Sequence, residues 1–366
     1  MLVPYVALPL RINRVKPALM AAIERVLDHG GYILGPEVGE FERRFAAYCG
    51  TRFAVGVADG TAALMLAMRA AGVGSGDEVI TAPNSFAASA SSIALLGAIP
   101  RFVDVRREDM NLDPKLLEAA ITPRTRAIMP VHLTGHPADM DPVREVAARR
   151  GIAVVEDAAQ SVGAVYQGRR TGSLGMFGCF SLHPLKNLHA LGDAGIITTD
   201  DEKLHGWLLK ARNHGLRSRD EVEFWSPNTR LDTLQAAILG VMLDHLDTWT
   251  AERREIAAAY SAALASVVTV PRDRPGCLHT YQTYTIVAER RPALLEHLRQ
   301  RGIDAKVHYP LTIPMQPAAR ALGHAPGDFP VATWLSERIV SLPVYPELTR
   351  AQRDAVIDGV RSFYAS

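Results

Sequence analysis

Cysteine is scarce in this sequence: Cys49, Cys179 and Cys277 are the only three in 366 residues. Their number is odd, they lie far apart and no CxxC occurs. A disulfide framework and a cysteine zinc site are therefore not expected. A surplus of charge is missing too. Lys and Arg number 40 and Asp and Glu 39, for a formal charge of +1. The basic excess of a typical nucleic-acid binder is absent, and no nucleic-acid partner is expected. No apolar run approaches the ~18 residues needed to span a bilayer. The opening MLVPYVALPL is apolar, but it has no basic residue ahead of it and holds two prolines. Signal peptides place their charge first, so this stretch reads as an extended arm, and the protein as cytoplasmic with no membrane partner. His132 and His136 have the i,i+4 spacing of a helical metal pair. Gly135 and Pro137 favour a loop there instead, and no metal is expected.

What the sequence does have is alternation. Short β-rich runs occur at Phe53–Val57, Glu78–Thr81, Arg101–Val105, Arg126–Val131, Ile152–Glu156, Gly178–Ser181 and Gly195–Thr199. Helical patterns lie between several of them, at Ala62–Ala71, Ala87–Leu96, Pro114–Ala120 and Asp139–Arg149. This order predicts right-handed βαβ units and a mainly parallel sheet. IAVVED is apolar almost to its end, as in a strand buried on both faces. The pattern changes near Asn228. Leu231–Leu246 reads as one long helix and Ala251–Ala265 as a second. Tyr281–Val287, Pro292–Arg301 and Arg350–Tyr364 follow as strand, helix and helix. The expectation is a large domain over residues 1–250, including the arm, and a smaller α+β domain over 251–366.

Three segments can carry chemistry. In ADGTAAL, a strand ends, a Gly-Thr turn follows and a helix begins at Gly60 and Thr61. Helix N-termini expose unpaired N–H groups and partial positive charge, which suits a phosphate. The plain alternative is a strand–helix connection capped by Asp59 or Thr61. In VVEDAAQSVGA, Asp157 ends an apolar strand, where parallel sheets place ligands, and Gln160 lies one helical turn on. The alternative is an N-cap aspartate. In FSLHPLKNLHALGDAG, Lys186 sits among apolar neighbours in a segment broken by Pro184 and two glycines, with Ser181 five residues earlier. Desolvation would leave a nucleophilic amine there, whereas an isolated lysine is more often plain surface. Taken together, a phosphate turn, a strand-end carboxylate and a loop lysine match the needs of pyridoxal phosphate. Phe86 would stack on its ring or pack in the core.

The same residues sit in stretches that resemble the DegT/DnrJ/EryC1/StrS family of sugar aminotransferases, within the aspartate aminotransferase (fold type I) superfamily. The matching stretches include GGYILGPEVGEFERRFAAYCG, VGVADGTAALMLAMRAAGVGSGDEVI, VVEDAAQSVGA, FSLHPLKNLHALGDAG, PNTRLDTLQAAIL, KVHYP and LPVYP. The resemblance implies an α/β fold with a mainly parallel seven-stranded sheet and a smaller C-terminal α+β domain. It implies that Lys186 is the Schiff-base lysine, that Asp157 pairs with the pyridine nitrogen and that Gln160 bonds the ring hydroxyl. Gly60, Thr61 and Ser181 would hold the phosphate, with Phe86 against the ring. Asn228 would reach a partner subunit's phosphate in a homodimer with shared sites. His308 and Tyr309 match a stretch near the sugar pocket. Two departures stand out. Gly192-Asp193-Ala194-Gly195 replaces the common GEGG and resembles members acting at the sugar C3. Asp59 replaces a common serine, so it is expected to cap the helix or face away. The implied reaction moves an amino group from glutamate to a nucleotide-linked keto-sugar. The alternatives are the same chemistry on a ketocyclitol or free keto sugar acid, or a cofactor-binding regulator.

Overall fold

The computed structural model describes residues 2–365. Its centre is a seven-stranded sheet of β1 (Phe53–Val57), β2 (Glu78–Thr81), β3 (Ile99–Phe102), β4 (Thr125–Met129), β5 (Ala153–Asp157), β6 (Phe177–Ser181) and β7 (Gly195–Thr199). The spatial order is β1-β7-β6-β5-β4-β2-β3. Only β7 runs antiparallel to its neighbours β1 and β6; the other pairs are parallel. This is the mainly parallel sheet that the βαβ alternation predicts.

Both faces of the sheet are buried, and successive residues of a strand feed opposite cores. Ile128 and Val154 join one apolar cluster with Val143 and Ala147 of the helix Met140–Arg150. Their strand neighbours Ala127, Met129, Ala153 and Val155 join another with Leu64, Ala67 and Met68 of the helix Gly60–Ala70. Nearly continuous apolar strands are the sequence signature of such double burial.

Several boundaries depart from expectation. The third strand is Ile99–Phe102 rather than Arg101–Val105. It includes Pro100 because β3 is an edge strand, where a missing N–H can face away from the ladder. Val105 instead forms an isolated bridge with Leu112. The arm is shorter than MLVPYVALPL: Leu8 already opens a helix to His29, with Pro9 in the first turn, where its lost N–H is not needed. That helix and the next, Pro36–Cys49, had no counterpart in the sequence reading. Leu231–Leu246 is not one helix. Thr233–Leu243 ends at Asp244, and Leu246–Leu264 begins two residues later. Asp244 and His245 stay close to helical geometry, so the apolar pattern runs through the break without marking it.

The helix Leu246–Leu264 joins two cores. Leu246 and Trp249 pack with Phe41, Phe45 and Phe180 on the sheet side. Ile256, Ala257, Tyr260 and Leu264 pack with Tyr284, Ile286, Val340 and Leu342 of a two-stranded antiparallel sheet, Tyr284–Val287 with Ile339–Leu342. The helices Arg291–Gln300 and Arg350–Ala365 cover this second core. Val3 belongs to it as well, through a parallel bridge to Ile303.

The carboxyl end of β5 is held from behind by Glu156, which is fully buried. Its Oε1 accepts from the N–H groups of Leu174 (2.7 Å) and Gly175 (2.8 Å), and its Oε2 from Gly172 N–H (2.8 Å). His132 adds a fourth donor. Its Nδ1 accepts from Ala138 N–H at 2.9 Å, which leaves the proton on Nε2, 2.9 Å from Glu156 Oε2. This carboxylate ties two loops to the strand that presents Asp157. Glu156→Ala would strand three backbone N–H groups and one imidazole in the interior. The expected loss of stability is about 3–5 kcal/mol, seen as a lower urea midpoint. A loss below about 1 kcal/mol would show that other contacts hold these loops.

Candidate active site

At the carboxyl ends of the parallel strands lies a cavity of about 610 Å³. This is the edge at which open α/β sheets place ligands. Its walls include Gly60, Thr61, Phe86, Asp157, Gln160, Ser181, Lys186, His308 and Tyr309. Asn228 is not among them. It lies on an exposed stretch that bridges to Asn213.

Asp157 is the last residue of β5, and its side chain points away from Glu156. Ser89 Oγ donates to its Oδ2 at 2.7 Å and Ala159 N–H to its Oδ1 at 3.2 Å. Ser85 Oγ in turn donates to Ser89 Oγ at 2.9 Å. Burial raises the Asp157 pKa; the Ser89 hydroxyl, the Ala159 N–H and the Lys186 charge pull the other way. Lys186 lies in an irregular segment fixed by its N–H to the His183 carbonyl, 2.8 Å. Burial lowers its pKa, and the Asp157 charge opposes that shift. A lysine so placed gives up its proton more easily than one in water and becomes a nucleophile or base.

The turn at Gly60 is built by close packing. A Cβ on Gly60 would meet Ser181 Cβ at 2.7 Å, so glycine is required for the helix start to lie against β6. Asp59 caps this helix, its Oδ1 accepting from Ala62 N–H at 2.9 Å. Its carboxylate is thus occupied, as the sequence argument expected, although the residue also borders the cavity. On the opposite wall, Gln160 Oε1 accepts from Thr134 N–H at 2.7 Å and its Nε2 donates to the Tyr309 hydroxyl at 3.4 Å. Phe86 is exposed, with its ring 5.7 Å from that of Tyr309. Burial and the Asp157 charge push the Tyr309 phenol up to about 12. Burial, with Lys186 and Lys306 adding to it, brings His308 down to about 4, so its imidazole is neutral near pH 7.

The sequence reading missed several wall residues: Tyr5, Ser85, Ser89, Arg253 and Gln282. APNSFAAS contains both serines, but Ser85 precedes the extended cap Phe86 and only Ser89 lies in the helix Ala87–Ala94, so helical period gave no signal that they meet. Tyr5, Arg253 and Gln282 come from remote segments and carry no local signal. His132 and His136 are engaged in the interior, and among the described residues no group of three or more His, Cys, Asp or Glu is placed to hold a metal.

The model of the DegT/DnrJ/EryC1/StrS aminotransferase family matches residues 13–361. The chain belongs to this family. It is 44% identical over 363 residues to the dTDP-3-amino-3,4,6-trideoxy-alpha-D-glucose transaminase of Streptomyces venezuelae, covering 99% of this chain and 96% of the relative. It is 42% identical over 339 residues to the UDP-2-acetamido-2-deoxy-3-oxo-D-glucuronate aminotransferase of Pseudomonas aeruginosa, covering 92% and 94%. The crystal structure of S. venezuelae DesV in complex with a ketimine intermediate superposes with a TM-score of 0.98 over 100% of this chain and 99% of that one, at 44% identity. The fold is that of the family's aminotransferases and the cofactor is pyridoxal phosphate. The donor set suits it: a buried carboxylate for a cationic ring nitrogen, an amine for the aldehyde, and a tightly packed helix start for the phosphate.

Ser89 offers a direct check. Ser89→Ala removes a donor that opposes the burial penalty on Asp157, so the carboxyl should hold its proton more tightly. We expect roughly a tenfold fall in turnover, equivalent to about 1.4 kcal/mol, with the fold intact by circular dichroism. Unchanged kinetics would mean that Ser89 only packs.

Proposed function

We propose that the protein transfers an amino group from L-glutamate to a keto-sugar carried on a nucleoside diphosphate. The gathering of Lys186, Asp157, Ser181 and the Gly60–Thr61 helix start around one cavity carries this reading. When bound, pyridoxal phosphate supplies an electron sink for the carbon that bears the amino group. Asp157 holds positive charge at the ring nitrogen, and Gln160 offers its amide to the ring hydroxyl. The N–H groups at Gly60 and Thr61 bind the phosphate with the Ser181 hydroxyl, and Phe86 covers the ring. Lys186 would be the residue that holds the cofactor through its aldehyde. Its amine would serve as the base that takes the proton from the donor's α-carbon. In the second half-reaction the same amine would deliver a proton to the sugar carbon. His308 and Tyr309 face the acceptor. The two curated relatives above are named for a 3-amino and a 3-oxo sugar, which together with Gly192-Asp193-Ala194-Gly195 supports amination at C3.

In this reading, residues 1–250 bind the cofactor and residues 251–366 close the site. The setting is cytoplasmic, in keeping with three free thiols, and no helix among the described residues is long and apolar enough to cross a membrane. The active unit is a homodimer. The exposed position of Asn228, outside its own chain's cavity, suits a residue that completes the partner's phosphate site.

Two experiments test this. Glutamate added to the holoenzyme should bleach the cofactor's aldehyde absorbance, and a panel of keto-sugar nucleotides should then yield an aminated product by mass spectrometry. Lys186→Ala should abolish both while leaving the fold intact. A holoenzyme that no amino acid bleaches would favour a regulatory role. The second experiment mixes two inactive variants, Lys186→Ala and Asn228→Asp. Shared sites predict that subunit exchange restores part of the activity, because one site of the heterodimer carries both lesions and the other neither. Verified exchange without recovery would place both residues in one chain's site.

A further inference from the structure

Gln282 borders the cavity, half-buried, and the chemistry above gives it no part. Its side chain lies across the backbone on either side of Lys186. Its Nε2 donates to the Leu185 carbonyl at 2.7 Å, and its Oε1 accepts from the Asn187 N–H at 3.0 Å. Neither partner can change role, because a carbonyl only accepts and a peptide N–H only donates, so the orientation of the carboxamide is fixed. These two contacts grip the two peptide planes that meet at the Lys186 Cα. The first plane is gripped again by the Lys186 N–H, which donates to the His183 carbonyl at 2.8 Å. A residue whose flanking planes are both held has its φ and ψ set, and with them the direction in which its side chain leaves the backbone.

Lys186 needs such a grip. Residues 182–194 form neither helix nor strand, so no regular hydrogen-bond ladder fixes the lysine. The stretch that carries Gln282 is itself tied down. The Tyr281 carbonyl accepts from Arg253 Nη1 at 3.2 Å, the Thr280 N–H donates to the Gly135 carbonyl at 3.1 Å, and the Thr283 N–H donates to the Thr134 carbonyl at 3.3 Å. Asn187 Nδ2 adds a tie to the same stretch, donating to the Thr280 carbonyl at 3.1 Å. We propose that Gln282 is a positioning residue, whose carboxamide sets the backbone of Lys186 and so aims its amine at the cofactor's aldehyde. The inference rests on the reading of Lys186 as the residue that holds that aldehyde. Filling the wall would need only a side chain of this size. It would not need a donor and an acceptor matched to the carbonyl before the lysine and the N–H after it.

The test is a double-mutant cycle of Gln282→Met and Lys186→Ala on the full chain, read as pyridoxal phosphate affinity by equilibrium dialysis. Methionine keeps the length of the side chain and loses both hydrogen bonds. Alone, Gln282→Met should weaken cofactor binding about tenfold, the scale on which ordering one residue's backbone acts. Added to Lys186→Ala it should change the affinity less than about twofold, because no amine is left to aim. Amide hydrogen exchange over residues 185–187 should quicken in Gln282→Met while the circular dichroism stays the same. Gln282→Asn keeps the amide but draws it back by one methylene, so it should reproduce the pattern, and it replaces methionine in the cycle if that variant does not fold. Equal weakening with and without Lys186 overturns the proposal and leaves Gln282 a packing residue. Unchanged cofactor affinity and exchange, with weaker use of the sugar nucleotide alone, overturns it as well and makes Gln282 a substrate contact. If Lys186→Ala itself binds the cofactor as tightly as the wild type, the lysine assignment is wrong and the proposal falls with it.

Discussion

Asp157 and Lys186 bring opposite charges into one partly dehydrated cavity, and burial works against both of them. It raises the carboxyl's pKa and lowers the amine's, while each group's charge counters the other's shift. The rest of the site adjusts this balance. Ser89 and the Ala159 N–H favour the carboxylate. The amine is left inclined toward its neutral, reactive form. A cationic ring nitrogen beside Asp157 would settle that carboxylate as an anion, so one binding event both holds the cofactor and fixes the charge state that its chemistry needs.

Keeping the two groups in register demands rigidity behind them. Asp157 is aimed by a strand whose preceding residue, Glu156, is anchored by four hydrogen bonds on the other face. The turn that would hold the phosphate is set by contact between Gly60 and Ser181, ends of elements that are far apart in sequence and adjacent in space. The front of the cavity is made differently. Tyr5, Gln282, His308, Tyr309 and Val344 come from the arm and the second core. The back wall thus belongs to the sheet, and the front wall to a separately packed layer joined to it by the helix Leu246–Leu264.

That division explains what could be read from the sequence. The strands and the helices between them were legible because a doubly buried parallel sheet leaves short apolar runs and turn residues. The boundaries slipped where the rule has an exception, as at Pro100 on the edge strand, or where no signal exists, as at Asp244 and His245. Lys186, Asp157, Gly60 and Ser181 each sit in a local motif, and three short segments sufficed to suggest the cofactor. Arg253 and Tyr5 have no such context. An arginine in an amphipathic helix and a tyrosine in an apolar arm look like solvent-facing and packing residues until the fold brings them to the same wall. Asn228 was singled out only through family resemblance, and the single chain leaves it exposed.

The bridge between Val3 and Ile303 has a bearing on biosynthesis. Residues 2–7 are made well before the surface around Ile303 on which they dock. The sheet, with Asp157 and Lys186 already on it, can assemble while synthesis continues. The wall that includes Tyr5, Arg253, His308 and Val344 cannot. During that interval Asp157 and Lys186 stand in an open cleft, which becomes an enclosed site only once Ile303 and the second core have been made.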